Sequence, residues 1–153
     1  MALRLFTTDL IGTGVQITAN TDDLIIVADD VIVSSSDGNT IYSDGTADSV
    51  NVVIAGDLYA YGNGVSQHNV TVQATGSIVA YFFTGIIIHG DDSIAVNYGQ
   101  ITTHRSVGMD LSDAEFGTLI NYGTINATDT GIYSSGFLLE SDVVNAHLEN
   151  HGS

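Results

Sequence analysis

Acidic side chains fall in small groups along this sequence: Asp22-Asp23, Asp29-Asp30, Asp44 with Asp48, Asp91-Asp92, and Asp110, Asp113 and Glu115. Grouped carboxylates suit calcium, which takes roughly six to eight oxygen ligands, although none of these groups has the spacing of an EF-hand loop. Asp91, Asp92, Asp110, Asp113 and Glu115 form the best candidate set, because they fall at matching places about one repeat apart. The competing reading is that Asp is simply a good turn residue facing water. The five histidines (His68, His89, His104, His147, His151) carry no metal signature. His147 and His151 are four apart, a spacing that suits zinc on a helix, but their segment reads as strand or turn. No Gly-x-Ser-x-Gly turn presents a nucleophile, and no Ser-His-Asp set can be assigned.

Aromatic residues supply a second kind of chemistry. If Leu58, Ala60, Ile78 and Ala80 point inward by strand alternation, Tyr59, Tyr61 and Tyr81 point outward. His104 then follows in the Tyr61–Tyr81 column, and Phe82 and Phe83 adjoin it. Such a strip can stack on sugar rings or anchor a protein partner. It can equally stiffen neighbouring coils, which is the better account of Tyr98 and Tyr122, 24 residues apart at equivalent turns.

The elements that must position these groups follow from a repeat. One landmark is an apolar residue, usually after Gly: Val15, Ile41, Val65, Ile86, Met109 and Ile132, at intervals of 26, 24, 21, 23 and 23 residues. A second landmark keeps step with it, from Val27-Ala28-Asp29-Asp30-Val31 and Ile54-Ala55-Gly56-Asp57-Leu58 to Ala74-Thr75-Gly76-Ser77-Ile78. It continues through Asn97-Tyr98-Gly99-Gln100-Ile101 and Asn121-Tyr122-Gly123-Thr124-Ile125, and begins again at Asn150-His151-Gly152-Ser153. Between landmarks the apolar residues alternate, as in Val70-Thr71-Val72 and Ile94-Ala95-Val96, which is strand periodicity. The spacing predicts an all-β, right-handed parallel β-helix of about six coils of 20–29 residues, each with three short strands. Ile78, Ile101 and Ile125 should form one interior column. Ala80, Thr103 and Ala127 should form another, in which Thr103 needs an internal hydroxyl partner. A β-sandwich also has many short strands, but it does not make two landmarks recur at one period.

The 153 residues suffice for one domain, 1–153, with residues 1–13 as an N-terminal cap to which Leu3, Leu5 and Phe6 contribute. The last residues stop inside a repeat, so a fragment of a longer repeat protein is expected. Two basic residues, Arg4 and Arg105, face eighteen acidic ones, a formal charge of −16. That disfavours nucleic acid and anionic membrane surfaces, whose binding relies on Lys and Arg. No apolar run is long enough for a membrane helix, and no secretory signal opens the chain. Zero prolines and seventeen glycines leave the bends to Gly, Asp, Asn and Ser.

Asn-Tyr-Gly-x-Ile units, preceded by an apolar strand and followed by Gly-Ile, resemble the β-helical repeats of large exported bacterial proteins. Haemolysin-type calcium-binding (RTX) proteins and filamentous adhesins are such proteins. The Gly-Gly-x-Gly-x-Asp nonapeptide of RTX calcium coils does not occur here. The resemblance implies a non-catalytic structural or adhesive segment at the cell surface or outside the cell, exported by a signal elsewhere. Calcium at the acidic turns, glycan or a cell-surface protein at the aromatic strip, and end-to-end or edge self-association through open strand edges are the expected ligand and partners. The alternative is a polysaccharide-active enzyme, since Asp91-Asp92-Ser93-Ile94-Ala95-Val96-Asn97 is similar to the paired-Asp segment of polygalacturonases. That family's accompanying Asn-Thr-Asp, Gly-His-Gly and Arg-Ile-Lys segments are missing. A uronate lyase would need a base and a cation, for which only Arg105 is available.

Overall fold

A computed structural model describes residues 2–43, 49–112, 114–128, 135–139 and 143–153. Asp44, Asp48, Asp113 and Ile132 lie outside the described residues. Apolar alternation over two to five residues makes strands too short to bury a face alone, so each finds its partner one repeat away. Numbered along the chain, one sheet stacks β1 (Ala2–Phe6), β4 (Asp23–Val27), β7 (Asn51–Ile54), β10 (Asn69–Val72), β13 (Ile94–Asn97), β16 (Thr118–Asn121) and β19 (His147–Asn150). The second stacks β2 (Leu10–Gly12), β5 (Ile32–Ser35), β8 (Asp57–Ala60), β11 (Ser77–Ala80), β14 (Gln100–Thr103) and β17 (Thr124–Ala127). The third stacks β3 (Ile17–Thr18), β6 (Ile41–Tyr42), β9 (Val65–Gln67), β12 (Ile86–His89), β15 (Met109–Ser112) and β18 (Phe137–Leu139). Neighbours in each sheet are parallel, as in Ile78 opposite Ile101 and Ile101 opposite Ile125. The molecule is a parallel β-solenoid of about five turns with three strands per turn.

The three sheets enclose a single apolar core, with Ile25, Leu58, Ile78, Ile86, Ile101, Met109 and Leu119 fully buried. Thr103 lies inside as the column requires, and its hydroxyl donates to the Ser106 carbonyl at 2.8 Å. Register corrects several landmarks. Ile17, not the exposed Val15, opens the third-sheet column, which closes on Phe137 after Gly136. Val33, not Val31, faces Leu58. In Ile94-Ala95-Val96 the alanine is the buried member, because it aligns with Val70 and Leu119.

Leu3 and Leu5 do not cap the first coil; they point outward and are more than half exposed. Phe6 instead packs against the core, and Arg4 stands opposite the buried Ile25. Arg4 donates to the Thr18 carbonyl at 2.6 Å and pairs with Asp23 at 3.1 Å. Burial pushes the Asp23 carboxyl up, but hydrogen bonds from the Asn20 backbone, Arg4 and the Asn20 side chain, with the Arg4 charge, outweigh it. The net result lies below 3.8. This carboxylate therefore adds stability above the ordinary Asp value and loses it as pH falls through the lowered one.

Coils approach most closely at the corner between the first and second sheets. A Cβ on Gly99 would lie 2.1 Å from the Gly76 carbonyl oxygen and 2.4 Å from that of Gln73, both backbone atoms of the preceding coil. Gly99→Ala should therefore separate two coils and cost at least about 2–3 kcal/mol in denaturant unfolding. Near-native stability would show that the stacking is looser than described. Gln67 poses the opposite case. Its side chain is buried, in the rung opposite Ile88, with neither amide atom hydrogen-bonded. Gln67→Met should raise stability by roughly 1–3 kcal/mol, because it removes two unsatisfied polar atoms; a loss in the same assay would mean the amide has a partner.

Candidate functional site

Alternation on the second sheet sends Leu58, Ala60, Ile78 and Ala80 into the core and turns Tyr59, Tyr61 and Tyr81 outward, 42%, 44% and 48% exposed. Tyr59 stands between Ser34 and Val79 on the neighbouring rungs. Tyr61 and Tyr81 lie one residue past β8 and β11, where their N–H groups donate to the carbonyls of Ser35 and Ala60 at 3.0 and 2.9 Å. The His104 N–H continues the ladder to Ala80, so Tyr61, Tyr81 and His104 share one outer column, as their spacing predicts.

The column is braced from the adjoining turn. The Tyr61 and Tyr81 ring centroids are 6.4 Å apart with planes 23° from parallel, and Phe82 packs against both at 4.5 and 4.9 Å. His104 lies 5.4 Å from Tyr81, with its Nδ1 3.1 Å from the Thr128 hydroxyl. The Arg105 guanidinium sits 4.7 Å from the centre of the Phe82 ring. Between the tyrosines and the smaller Ser34, Ser36, Ala60 and Val79 runs a shallow groove of about 260 Å³. The Ser35 hydroxyl at its edge donates to the Gly14 carbonyl and accepts from the Gly38 N–H.

The acidic candidates are divided. Asp91 and Glu115 do meet in successive turns: the Glu115 N–H donates to the Asp91 carboxylate at 2.8 Å, and the Asp92 N–H to the Glu115 carbonyl at 2.9 Å. Asp92 has φ 58°, and Asp22 and Asp30 also take left-handed turn conformations, a role their short polar side chains suit. Asp110 is apart from them on β15, nearly buried, opposite Ile87. Among the described residues no three His, Asp or Glu side chains are placed to hold a metal ion. His147 and His151 converge on Glu149 instead, at 2.7 and 2.9 Å, each on a different carboxylate oxygen. Hydrogen bonds from His151 and then His147 hold the Glu149 carboxyl below its ordinary value.

Two arrangements escaped the sequence reading. The Ser66 hydroxyl lies 3.1 Å from His89 Nε2, a pairing hidden by 23 residues of separation and visible only once Ser66 is set beside Ile87. Ser66 is 4% exposed, so it offers no approach to a substrate. The second is a ladder at the glycine corner. Asn97 Nδ2 donates to Asn121 Oδ1 at 2.7 Å, and Asn121 Nδ2 to Asn150 Oδ1 at 2.8 Å. Beside it Tyr98, Tyr122 and His151 stack at 5.2 and 5.0 Å, within 9° of parallel. The Tyr98–Tyr122 stack was legible in the sequence; its extension to His151 and the amide ladder beside it were not.

Fold and site together define a class, the parallel β-solenoid with an aromatic groove on one outer sheet. Compared with protein-family models, curated proteins and solved structures, the chain matches none.

The Asp91 contact separates a turn residue from an ion ligand. Asp91→Asn keeps an acceptor for the Glu115 N–H and should leave stability within about 0.5 kcal/mol, whereas Asp91→Ala should cost about 1 kcal/mol. Millimolar calcium should leave the melting temperature of both variants and of the parent chain unchanged. A calcium-dependent rise that disappears in Asp91→Asn would make the carboxylate a ligand.

Proposed function

We propose that this solenoid is a non-catalytic structural and adhesive segment of an exported bacterial surface protein, and that its groove of tyrosines contacts glycan. The observation that carries this reading is the groove itself: three outward tyrosines, of which Tyr61 and Tyr81 are braced by Phe82, next to small residues and serine hydroxyls. Sugar rings present apolar C–H faces that stack on aromatic rings, and hydroxyls that exchange bonds with Ser and Tyr. Rings fixed before binding lose little rotamer freedom on contact, which favours recognition. The Asn-Tyr-Gly-x-Ile repeats support a place among RTX-type or adhesin-type β-helical regions.

The polysaccharide-active alternative has less support. Hydrolysis by inversion needs two carboxyls facing each other across room for a water. Here the Asp91 carboxylate accepts a backbone N–H and Asp92 occupies a left-handed turn position. The reading predicts retention of the chain on a subset of arrayed glycans, lost in the Tyr61→Ala/Tyr81→Ala double variant, with no release of reducing ends. Retention unaffected by the double variant, or no retention at all, would remove the glycan role; reducing-end release would restore the enzyme.

A further inference from the structure

We infer that the groove takes a neutral oligosaccharide laid along the solenoid axis, an inference that rests on the glycan reading above. The lining residues are Ser, Tyr, Ala and Val, with no Asp, Glu, Lys, Arg or His among them, in a chain whose formal charge is −16. A uronate or sialate would enter a field of its own sign with no cation on the lining itself; Arg105 stands behind it, stacked on the Phe82 ring, one guanidinium in a chain of net charge −16. A cationic amino sugar would be drawn in from a distance, but it would shed water against a lining without a carboxylate. A neutral pyranose avoids both costs. Its C–H face lies on a tyrosine ring, and its hydroxyls face Ser34, Ser36 and the phenols.

The direction follows from the register. Ser34, Tyr59 and Val79 occupy successive rungs of one outer column, and Tyr61 and Tyr81 occupy successive rungs of the next. Rungs rise by about 4.8 Å, so aromatic and hydroxyl groups repeat along the axis across β5, β8 and β11. A ligand laid along the axis meets Tyr61 and Tyr81 in turn. One laid along a strand would use Tyr59 and Tyr61 and leave Tyr81 aside.

The test is calorimetric titration of the folded chain with four trisaccharides: cellotriose and chitotriose as neutral probes, glucosamine trimer as cation, trigalacturonate as anion. At least one neutral trimer should saturate, with an affinity insensitive to salt because no charge is screened. That affinity should fall roughly tenfold in Tyr61→Ala and in Tyr81→Ala. Both variants should keep the parent chain's circular dichroism and remain fully folded at the titration temperature. Saturation by a charged trimer alone overturns the neutral assignment and leaves the glycan reading standing. Weakening by Tyr61→Ala but not by Tyr81→Ala overturns the axial direction. Binding by none of the four overturns both the inference and the function it rests on.

Discussion

In-register parallel pairing between consecutive coils is the constraint on which every other feature of this molecule depends. A strand of two to five residues has no stability of its own, and its backbone groups are satisfied only by the coil before and the coil after. Pairing at that distance brings backbone against backbone at the corners. There a side chain has no room: a Cβ on Gly123 would meet the Gly99 carbonyl oxygen at 2.1 Å, just as one on Gly99 would meet that of Gly76. Glycine is thus set by the coil below, not by local backbone preference. The period of the sequence is the mark left by that contact.

The same constraint turns each position into a column of like environments. Inward columns fill with Ile, Val and Leu; a lone hydroxyl such as Thr103 can bond within its own coil, but an amide needs amides on the neighbouring rungs. Asn97, Asn121 and Asn150 meet that condition by bonding to one another, and the Asn97 side-chain Oδ1 also accepts the Gly99 N–H. Gln67 does not meet it, for its neighbour one rung on is Ile88. Outward columns obey a weaker version. Leu5, Ile26, Val53, Val96 and Ile120 follow one another along the first sheet with only Thr71 between them, so branched side chains cover each other although they face away from the core. The Tyr61, Tyr81 and His104 column is the aromatic form of that arrangement.

Where a column kept its chemistry, the sequence revealed it; where chain length between landmarks varied, it did not. Ile78, Ile101 and Ile125 are separated by near-constant intervals and were assignable by counting, as were the outward tyrosines. At the chain's first coil the apolar residue after Gly14 is Val15, yet Ile17 makes the contact with Ile41, because extra turn residues precede β3. Ile94-Ala95-Val96 shows a different limit. Alternation gives the period but not the phase, and size points the wrong way when the small residue is the one aligned with the buried Val70 and Leu119. Contacts such as Ser66 with His89, or Asp91 with the Glu115 N–H, require both the period and the phase, which only the paired register supplies.

Stacking also governs where so much negative charge can be placed. Like charges directly opposite across a rung repel, and a parallel in-register array repeats every such conflict. Among the described strands four acids occur, Asp23, Asp57, Asp110 and Glu149, and none faces another acid in the register. Asp57 lies beside Ser77, whose hydroxyl it accepts; Asp110 lies between Ile87 and Leu138; Glu149 lies beside Ile120. Turns carry much of the remaining acid, and there carboxylates are spent on backbone N–H groups, as at Asp9 with Ile32 and Asp91 with Glu115. On the second sheet this rule leaves a single acid among the described strands, Asp57, two residues before Tyr59 on β8 and bonded to the Ser77 hydroxyl. The tyrosine groove lies beside it, lined by uncharged residues, because no second acid stacks on that rung.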